Sequence, residues 1–510
     1  MTFAEKLDLL MNITKTSNSM LARNISLDAS FISRLRRGTR TPARNVNYIQ
    51  AMAEYFTRCC KTDYQKAALR EAMKSSFIEQ QQKTGNLEEL LYKWLGDENQ
   101  ARSDSINKLL NDLSHFQFKK TDPLNAVDTH KPYYQAVSEV EEYYGTKGKQ
   151  EAVLTFLSIV LQSKSPQTLL LYSDEDMGWL TENPEFTLKW SNLLAQVLKS
   201  GHKIKIIHTV NRDFNEMLAA IREWVPLYMT GTIEPYYYPR IRDGLFRRTL
   251  FIAPDTAAVT SGSVGNSTKK AANFLFTNKN TVKALIEEYN DLLSRCRLLM
   301  RIYTPFGNDD YLALLAEFEG EEGHAIVKTD TLTNVTMPPG VVKSVLARIE
   351  NPARERLLSY QQIRIDRFLD SLKRCRFTEI VSLPDQENIL AGKVLVSFSD
   401  MLNDNLLFYT PGEYRQHLQN IIMLLKTYDN YHVHLTRNKH LDGSMVYVRE
   451  DVGVLMGKTM PPSVVFAFNE GNMTAAFWDY MNHLINEKSQ CISREHTIAE
   501  LEAFAAGLKI

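Results

Sequence analysis

Arginines near the N-terminus form the clearest chemical signal in the chain. Between Arg23 and Arg44 there are six arginines and one acidic residue, Asp28, so this stretch carries a formal charge of +5. The whole chain of 510 residues has 60 basic and 60 acidic side chains and a net charge of zero. Guanidinium groups bind phosphates and carboxylates through paired hydrogen bonds. The local excess of positive charge therefore indicates a polyanionic partner for this part of the molecule.

Short helices are needed to position these arginines. Apolar residues recur at helical spacing over 3–11 and predict a first helix. Ser17 can cap a second helix and Asp28 a third, because their side-chain oxygens accept backbone N–H groups at a helix start. In the third helix Ile32 and Leu35 would face inward, which leaves the basic residues facing solvent.

This arrangement resembles the Cro/repressor-type (XRE-like) helix-turn-helix family over about residues 3–60. The residues that carry the resemblance are Leu21, Ala22, Leu27, Ile32, Ser33, Arg34, Leu35, Gly38, Arg40 and Pro42. The resemblance implies a third helix in the major groove of DNA, with its first residues nearest the base edges and the later ones at phosphates. The DNA-binding residues that it implies are Asp28, Ala29, Ser30, Phe31, Ser33, Arg34, Arg36, Arg37 and Arg40. Arg36 stands where the family often has an acid. A basic, solvated pair of helices without a DNA partner is the alternative interpretation.

The rest of the chain changes character twice. Apolar positions at helical spacing predict a helical connector after the N-terminal domain, and from Thr168 buried strand runs alternate with amphipathic helices in an α/β pattern. We therefore predict a multidomain protein with an all-α helix-turn-helix head, a helical connector and an α/β sensor module. The predicted domains are 1–75 for the head, 76–125 for the connector, 126–300 for a first α/β domain, 301–390 for a mixed linking region and 391–510 for a second α/β domain with a C-terminal helix.

Internal similarity indicates that the α/β unit is duplicated. The order of a strand, a helix, a strand, a hairpin and a strand leading into a helix occurs twice, the second time from NLLFYT onward. Corresponding residues would be Thr209 with Thr436, Asp255 with Asp451, and Tyr289 with Tyr480.

The predicted hairpins resemble the phospholipase D superfamily, whose signature is H-x-K-x4-D-x6-G-S-x-N and whose fold is a duplicated α/β unit. In the first copy Asp255, Gly262 and Ser263 match, whereas Arg248, Leu250 and Gly265 stand at the His, Lys and Asn positions. In the second copy Asp451 matches, whereas Ser444, Val446 and the Lys458-Thr459 pair replace the rest. That chemistry needs one histidine as nucleophile and another as general acid. An arginine stays protonated and can do neither. We predict no catalytic residues, and a module that binds rather than cleaves.

Polar residues at the predicted strand ends are candidate ligand contacts, because α/β sheets place their clefts there. The candidates are Asp174, Asp176, His208, Arg212, Tyr237, Arg248, Ser261, Ser263 and Asn266. A solvated acidic loop and a strand edge with exposed arginines are the alternatives. His432 and His434 share a strand face but have no third ligand nearby in sequence, so we predict no metal and no cofactor.

These features favour a DNA-binding transcriptional regulator whose α/β module senses a small molecule or a peptide. We expect a homodimer or higher homo-oligomer on double-stranded DNA, a cytoplasmic location and no membrane partner. The five cysteines are scattered and would be reduced. A DNA-tethered enzyme or toxin-like effector with an unrecognised catalytic site, and an architectural DNA-binding scaffold, remain as alternatives.

Overall fold

The computed structural model describes most of the chain. The described residues are 3–37, 47–60, 62, 65–66, 68–69, 73, 87–115, 138–175, 178–208, 214–239, 244–265, 270–305, 308–349, 353–402, 406–436, 443–486 and 493–508. Contacts divide the chain into two compact units. Unit 1 comprises Met1–Ser114, Leu312–Pro461 and Asn469–Ile510, and unit 2 comprises His115–Tyr311 and Pro462–Phe468.

Four helices open the chain: α1 (Phe3–Ile13), α2 (Asn18–Asn24), α3 (Ala29–Arg36) and α4 (Asn47–Cys59). Both predicted caps are confirmed, since Ser17 accepts the N–H of Met20 and Asp28 accepts the N–H of Ser30. The apolar faces of the helices meet in one core that includes Leu7, Leu10, Leu21, Ile32, Leu35, Met52 and Phe56. Burial of these side chains, rather than helix propensity, stabilises helices as short as α2 and α3.

A helix of 29 residues, α5 (Leu87–His115), follows in the predicted connector. Its first turns place Leu91, Trp94 and Leu95 in the N-terminal core. Lys6 strengthens this contact, because its buried Nζ donates to the Trp94 carbonyl at 2.7 Å. Further along α5, Asn107 accepts a 2.6 Å hydrogen bond from the Tyr480 hydroxyl. The helix thus contacts both the N-terminal helices and the C-terminal part of unit 1.

Unit 2 contains an eight-stranded mixed sheet in the order β1-β7-β6-β5-β2-β3-β4-β8. The strands are β1 (Val140–Tyr144), β2 (Thr168–Ser173), β3 (Lys203–His208), β4 (Ile233–Tyr237), β5 (Phe246–Ala253), β6 (Ala257–Val264), β7 (Ala272–Phe276) and β8 (Arg297–Leu298). Strands β2, β3 and β4 are parallel, and β5 pairs antiparallel with both β2 and β6. The accompanying helices are α6 (Gly145–Leu161), α7 (Gly178–Thr181), α8 (Pro184–Lys199), α9 (Phe214–Tyr228) and α10 (Lys279–Leu293).

A second mixed sheet follows. Its strands are β9 (Arg301–Tyr303), β10 (Ala325–Thr329), β11 (Phe377–Val381), β12 (Tyr431–Leu435), β13 (Ser444–Arg449), β14 (Gly453–Lys458) and β15 (Val464–Phe468). Within unit 1 the order is β12-β11-β10-β13-β14, and in unit 2 β15 pairs antiparallel with β9. The helices are α11 (Asn308–Gly320), α12 (Pro339–Leu346), α13 (Ala353–Ser371), α14 (Gln386–Leu390), α15 (Pro411–Thr427), α16 (Gly471–Asn486) and α17 (Arg494–Gly507).

The two sheets share a strand order, although β8 of the first has no counterpart in the second. The order β4-β3-β2-β5-β6 of the first matches β12-β11-β10-β13-β14 of the second, and the pair β7-β1 matches β15-β9. Parallel and antiparallel pairings also agree strand by strand. Two predicted correspondences agree with this match. Asp255 and Asp451 lie in the turns of the matching hairpins β5-β6 and β13-β14, and Tyr289 and Tyr480 lie in the matching helices α10 and α16.

The start of the second copy differs from the sequence prediction. The segment 301–390, predicted as a linking region, supplies β9, β10 and β11, so the second copy begins well before 391. Residues 406–410 of NLLFYT form only an isolated bridge through Phe408. Thr436 follows β12, which matches β4 of the first sheet, and Thr209 lies outside the described residues. The reason is chemical, because β10 and β11 each contain a buried charged residue, Lys328 and Glu379, that interrupts the apolar run.

Glu379 lies on a fully buried polar chain in unit 1. Its carboxylate accepts a hydrogen bond from Thr333, whose hydroxyl lies 3.1 Å from that of Thr336. The ring nitrogens of His417 lie 3.1 Å from the Thr336 hydroxyl and 3.1 Å from the Tyr409 hydroxyl. Burial raises the pKa of Glu379 to about 7 and lowers the pKa of His417 to about 3. Both side chains are therefore held in their neutral forms near pH 6.

A pH-dependent stability follows from Glu379. In the unfolded chain a glutamate loses its proton near pH 4.5, whereas the folded protein keeps it until about pH 7. The folded state should therefore lose up to about 3 kcal/mol of stability relative to the unfolded state as pH rises through this interval. Glu379→Gln should remove this loss, as measured by urea unfolding between pH 5 and 8.

The exposed Glu387 on α14 provides the control, because Glu387→Gln should leave the pH profile of the parent unchanged. Parallel pH profiles for Glu379→Gln and the parent protein would show that the Glu379 carboxyl is ionised in the fold.

Candidate functional site

The third helix presents a basic, polar face. Ile32 and Leu35 are fully buried and fix α3 against the core, while Arg34 in the helix and Arg37 at its C-cap are exposed. The turn before α3 includes Ser26 in the left-handed conformation, with φ of 57°. At the helix start the Asp28 carboxylate accepts the Ser30 N–H at 2.6 Å, and the hydrogen bonds to Ser30 lower the pKa of Asp28.

Other residues predicted to bind DNA have partners within the N-terminal domain. Arg36 donates from Nε to Asp8 at 2.6 Å and from its terminal nitrogen to Asn12 at 3.3 Å. Phe31 is partly buried and packs edge-on against Tyr48, with ring centroids 5.6 Å apart. Ala29 is partly buried at the same core. Arg37 donates to the Ser33 carbonyl at 3.2 Å and hydroxyl at 2.8 Å, so these two side chains lie together. Arg40 lies outside the described residues.

The hairpin aligned with phospholipase D has two faces with different chemistry. On one face, Arg248 contacts Glu288 through its guanidinium group and donates from Nε to Thr260 at 3.3 Å. The Arg248 backbone N–H binds the Asp174 carboxylate, and the Tyr172 hydroxyl donates to the same carboxylate at 2.7 Å. Asp174, Arg248 and Ser261 line one cleft of about 570 Å³, although the Ser261 hydroxyl binds Glu175 on the other face of the hairpin. Three predicted ligand residues thus lie at one cleft, but the charges of Arg248 and Asp174 already have protein partners.

The opposite face of the hairpin carries a buried polar cluster centred on Glu175. The Glu175 carboxylate pairs with the Lys149 ammonium from α6, accepts from Thr249 on β5 at 2.5 Å, and accepts from Ser261 on β6 at 2.9 Å. Lys149 also donates to Thr249 at 2.6 Å, and the Ser173 hydroxyl lies 2.8 Å from that of Thr249. Both charged side chains are at most 3% exposed. Burial lowers the pKa of Lys149 to about 7.

The remaining predicted ligand residues are dispersed. His208 is buried at the end of β3, with Nε2 lying 2.5 Å from the Tyr228 hydroxyl, and burial lowers its pKa to about 4. Tyr237 is buried at the end of β4, where its backbone pairs with His208. Ser263 is buried opposite Arg247, and its hydroxyl has no hydrogen-bond partner within the described residues. Asp176, Arg212 and Asn266 lie outside the described residues.

In the second copy, the residues at the corresponding positions form hydrogen bonds and ion pairs within the protein. Ser444, at the histidine position, is fully buried, and its carbonyl accepts from Lys328 at 3.0 Å. Asp330 directly follows β10, as Asp174 follows β2, and accepts the backbone N–H of Gly443 at 2.9 Å. It also accepts from the Thr459 hydroxyl and pairs with Lys328 at 3.0 Å. In both copies an aspartate after the central strand therefore binds a backbone N–H at the start of the hairpin.

No protein-family description and no curated protein matches this chain. Solved structures show only distant likeness. The archaeal chromatin protein TrmBL2, reported to show a novel mode of DNA binding, has 12% identity and a TM-score of 0.24 over 56% of this chain and 88% of its own. A phospholipase D family member, Nuc from Salmonella typhimurium, has 13% identity and a TM-score of 0.22 over 31% of this chain and 96% of its own. NucT from Helicobacter pylori has 10% identity and a TM-score of 0.23 over 31% and 98%.

Sequence reasoning missed Lys149 and Thr249. Lys149 falls in phase with Ala152, Val153 and Phe156 on the buried face of α6, and that phase is the signal that could have found it. Thr249 lies between the two positions compared with the phospholipase D signature, so it faces the other side of the sheet. Among the described residues, no group of three or more His, Cys, Asp or Glu is placed to hold a metal ion. No described helix is long and apolar enough to cross a membrane.

Removing one member of the buried Lys149–Glu175 pair should be costly. Lys149→Met leaves a carboxylate buried without its counter-ion, which destabilises proteins by about 3–5 kcal/mol. The double variant Lys149→Met with Glu175→Leu should recover part of this loss, because no unpaired charge remains. Urea unfolding of the two single variants and the double variant measures the coupling.

Lys189→Met is the matched control, since Lys189 and Glu185 form an exposed pair one helical turn apart. Its effect should stay below about 1 kcal/mol. Equal losses for Lys149→Met and Lys189→Met would contradict the buried ion pair.

Proposed function

We propose that the chain is a DNA-binding transcriptional regulator of the helix-turn-helix type, with α3 as the recognition helix. The observation that supports this proposal is the exposure of Arg34 and Arg37 on a helix whose other side is fixed by fully buried Ile32 and Leu35. A rigid helix with cations on its solvent face suits a major groove, which is about 12 Å wide and admits one α-helix.

The polar residues of α3 and of its two caps then have distinct roles. Arg34 and Arg37 bind phosphates, and Arg37 brings the neighbouring Ser33 hydroxyl with it. Ser30, which is exposed in the first turn, lies nearest the base edges. Asp28 caps the helix, and Arg36 fixes α3 to α1 through Asp8. The proposal thus divides the predicted DNA-binding residues into those that contact DNA and those that position the helix.

We also propose how the protein assembles on DNA and what its α/β module does. Two reading heads spaced about 34–36 Å apart are needed for paired half-sites, so we propose a homodimer on DNA. We further propose that the duplicated α/β module binds an effector without cleaving phosphodiesters. In its two hairpins Arg248 and Ser444 stand where that reaction requires histidine, and both are held by structural contacts.

Replacement of the exposed arginines should weaken DNA binding. The protein would first be footprinted on the DNA upstream of its own gene to define a site. Arg34→Ala with Arg37→Ala should then weaken binding to that site and reduce the slope of log K against log salt by about one for each lost phosphate contact. Fluorescence anisotropy over a series of salt concentrations measures both quantities.

Two controls match this experiment. Arg295→Ala with Arg297→Ala removes the same number of exposed guanidinium groups from unit 2 and should change neither quantity. Arg36→Ala should change the salt slope less than Arg37→Ala, because Asp8 already neutralises Arg36 whereas, among the described residues, Arg37 binds only the uncharged Ser33. An unchanged salt slope in the Arg34/Arg37 variant would rule out α3 as the phosphate-binding helix.

The absence of cleavage is tested separately. The purified protein should release no nucleotides from single- or double-stranded DNA, with or without divalent cations, as measured by gel electrophoresis of end-labelled strands. Turnover that is lost on replacing Arg248 or Ser444 would favour the enzyme alternative.

A further inference from the structure

A narrow aromatic pocket lies in unit 2, next to the Glu175 cluster. It has a volume of about 110 Å³ and lies among β2, β3, β5 and the helices α6 to α9. Its aromatic lining consists of Phe156, Tyr172, Trp179, Trp190, His208, Trp224 and Phe251. Three of the five tryptophans in the chain therefore meet at one small site.

Edge-to-face contacts fix the orientation of these rings. Trp224 packs at 81° against both Trp190 and His208, with centroids 5.7 Å apart in each case. His208 is in turn held by the Tyr228 hydroxyl at 2.5 Å. Trp179 lies on the other part of the lining, where the Lys149 ammonium is 4.7 Å from its ring centroid. Such a wall is preorganised, so a ligand would not have to order it on binding.

The polar groups of the pocket define what could bind. The indole N–H of Trp179 is buried and has no hydrogen-bond partner among the described residues, although Trp179 is only 5% exposed. A buried donor without a partner is unfavourable, and a bound acceptor would satisfy it. Among the other polar lining groups, those of Ser173, His208 and Tyr172 already have partners.

Charge and size narrow the ligand class further. No charged side chain occurs among the residues that line the pocket, so a charged ligand would be desolvated without compensation. The pocket of about 110 Å³ is smaller than a cavity of about 150 Å³ that accepts benzene, so its ligand can be no larger than a single five- or six-membered ring. Flat aromatic walls favour a planar ligand through stacked and edge-on contacts.

We infer that this pocket binds a small, neutral, planar heteroaromatic molecule whose ring nitrogen or carbonyl oxygen accepts the Trp179 indole N–H. This inference rests on the proposed function, because the molecule bound here would be the effector that the α/β module senses. Binding itself does not require DNA, so the two can fail separately.

Pyridine and benzene are suitable probes, because they have nearly the same shape and differ by one acceptor. Titration of the full chain at a pH where pyridine is neutral, followed by ligand-observed NMR, gives both affinities. Trp179→Phe removes the indole donor. We expect it to weaken pyridine binding about two- to tenfold relative to its effect on benzene binding. Benzene thus corrects for the smaller ring of the variant.

A second pair of variants tests the location. Leu194 lines the pocket from α8 and is 1% exposed, whereas Leu188 on the same helix is 58% exposed. Leu194→Phe fills space in the pocket and should abolish binding of both probes, while Leu188→Phe should leave both affinities unchanged. Circular dichroism and the unfolding midpoint confirm that each variant is folded.

The possible results distinguish failure of the pocket inference from failure of the regulator proposal. Saturable pyridine binding that is lost in Leu194→Phe and selectively weakened in Trp179→Phe supports the inference. Absence of saturable binding, or equal changes for pyridine and benzene in Trp179→Phe, overturns it. If pyridine binds as expected but leaves the affinity of the protein for its footprinted DNA unchanged, the pocket is not the effector site of the regulator, and that link is overturned. Failure of the Arg34/Arg37 experiment would instead remove the regulator proposal while the binding data stand.

Discussion

An acid that follows the central strand of each sheet holds the hairpin beside it. In the first copy Asp174 binds the backbone N–H of Arg248, and Glu175 binds Thr249. In the second copy Asp330 binds the backbone N–H of Gly443 and the hydroxyl of Thr459. Glu175 is buried and Asp174 and Asp330 are partly buried. Each carboxylate therefore needs several donors at once, because an unpaired charge in a protein interior is strongly unfavourable. The requirement fixes the register between each central strand and its hairpin, and so the positions of the side chains that line the neighbouring clefts.

The same requirement explains the chemistry of the hairpins. A side chain that binds substrate must keep unsatisfied hydrogen-bonding capacity, whereas the charged groups of Arg248 and Asp174 are used within the fold. Arg248 is bound by Glu288 and Thr260, and Asp174 accepts from the Arg248 N–H and the Tyr172 hydroxyl. By contrast, the indole N–H of Trp179 is buried and lacks a partner among the described residues. Unused hydrogen-bonding capacity therefore distinguishes the aromatic pocket from the cleft beside Arg248.

The sequence predicted elements well where apolar periodicity was uninterrupted. The buried strand that begins at Thr168 and the helix caps at Ser17 and Asp28 all occur as expected. Periodicity failed at β10 and β11, because the charged residues Lys328 and Glu379 occupy buried positions. Lys328 binds Asp330 and the Ser444 carbonyl, and Glu379 binds Thr333. The same limit hid Lys149, whose partners Glu175 and Thr249 are 26 and 100 residues away. The position of His208 at a strand end made it a candidate, but no local pattern predicts that it packs against Trp224.

The charges of α3 show why a count of arginines overestimates a binding surface. Arg36 and Arg34 are two residues apart, yet Arg36 is directed to Asp8 on α1 and Arg34 lies on the exposed face. An ion pair with Asp8 removes most of the attraction that Arg36 could exert on a phosphate, since the pair is neutral at the distance of a DNA backbone. The salt dependence of binding should therefore reflect the arginines on the exposed face rather than the formal charge of +5. An effector in unit 2 could change that binding only through a difference in its own affinity for the arrangements of the protein that do and do not fit DNA.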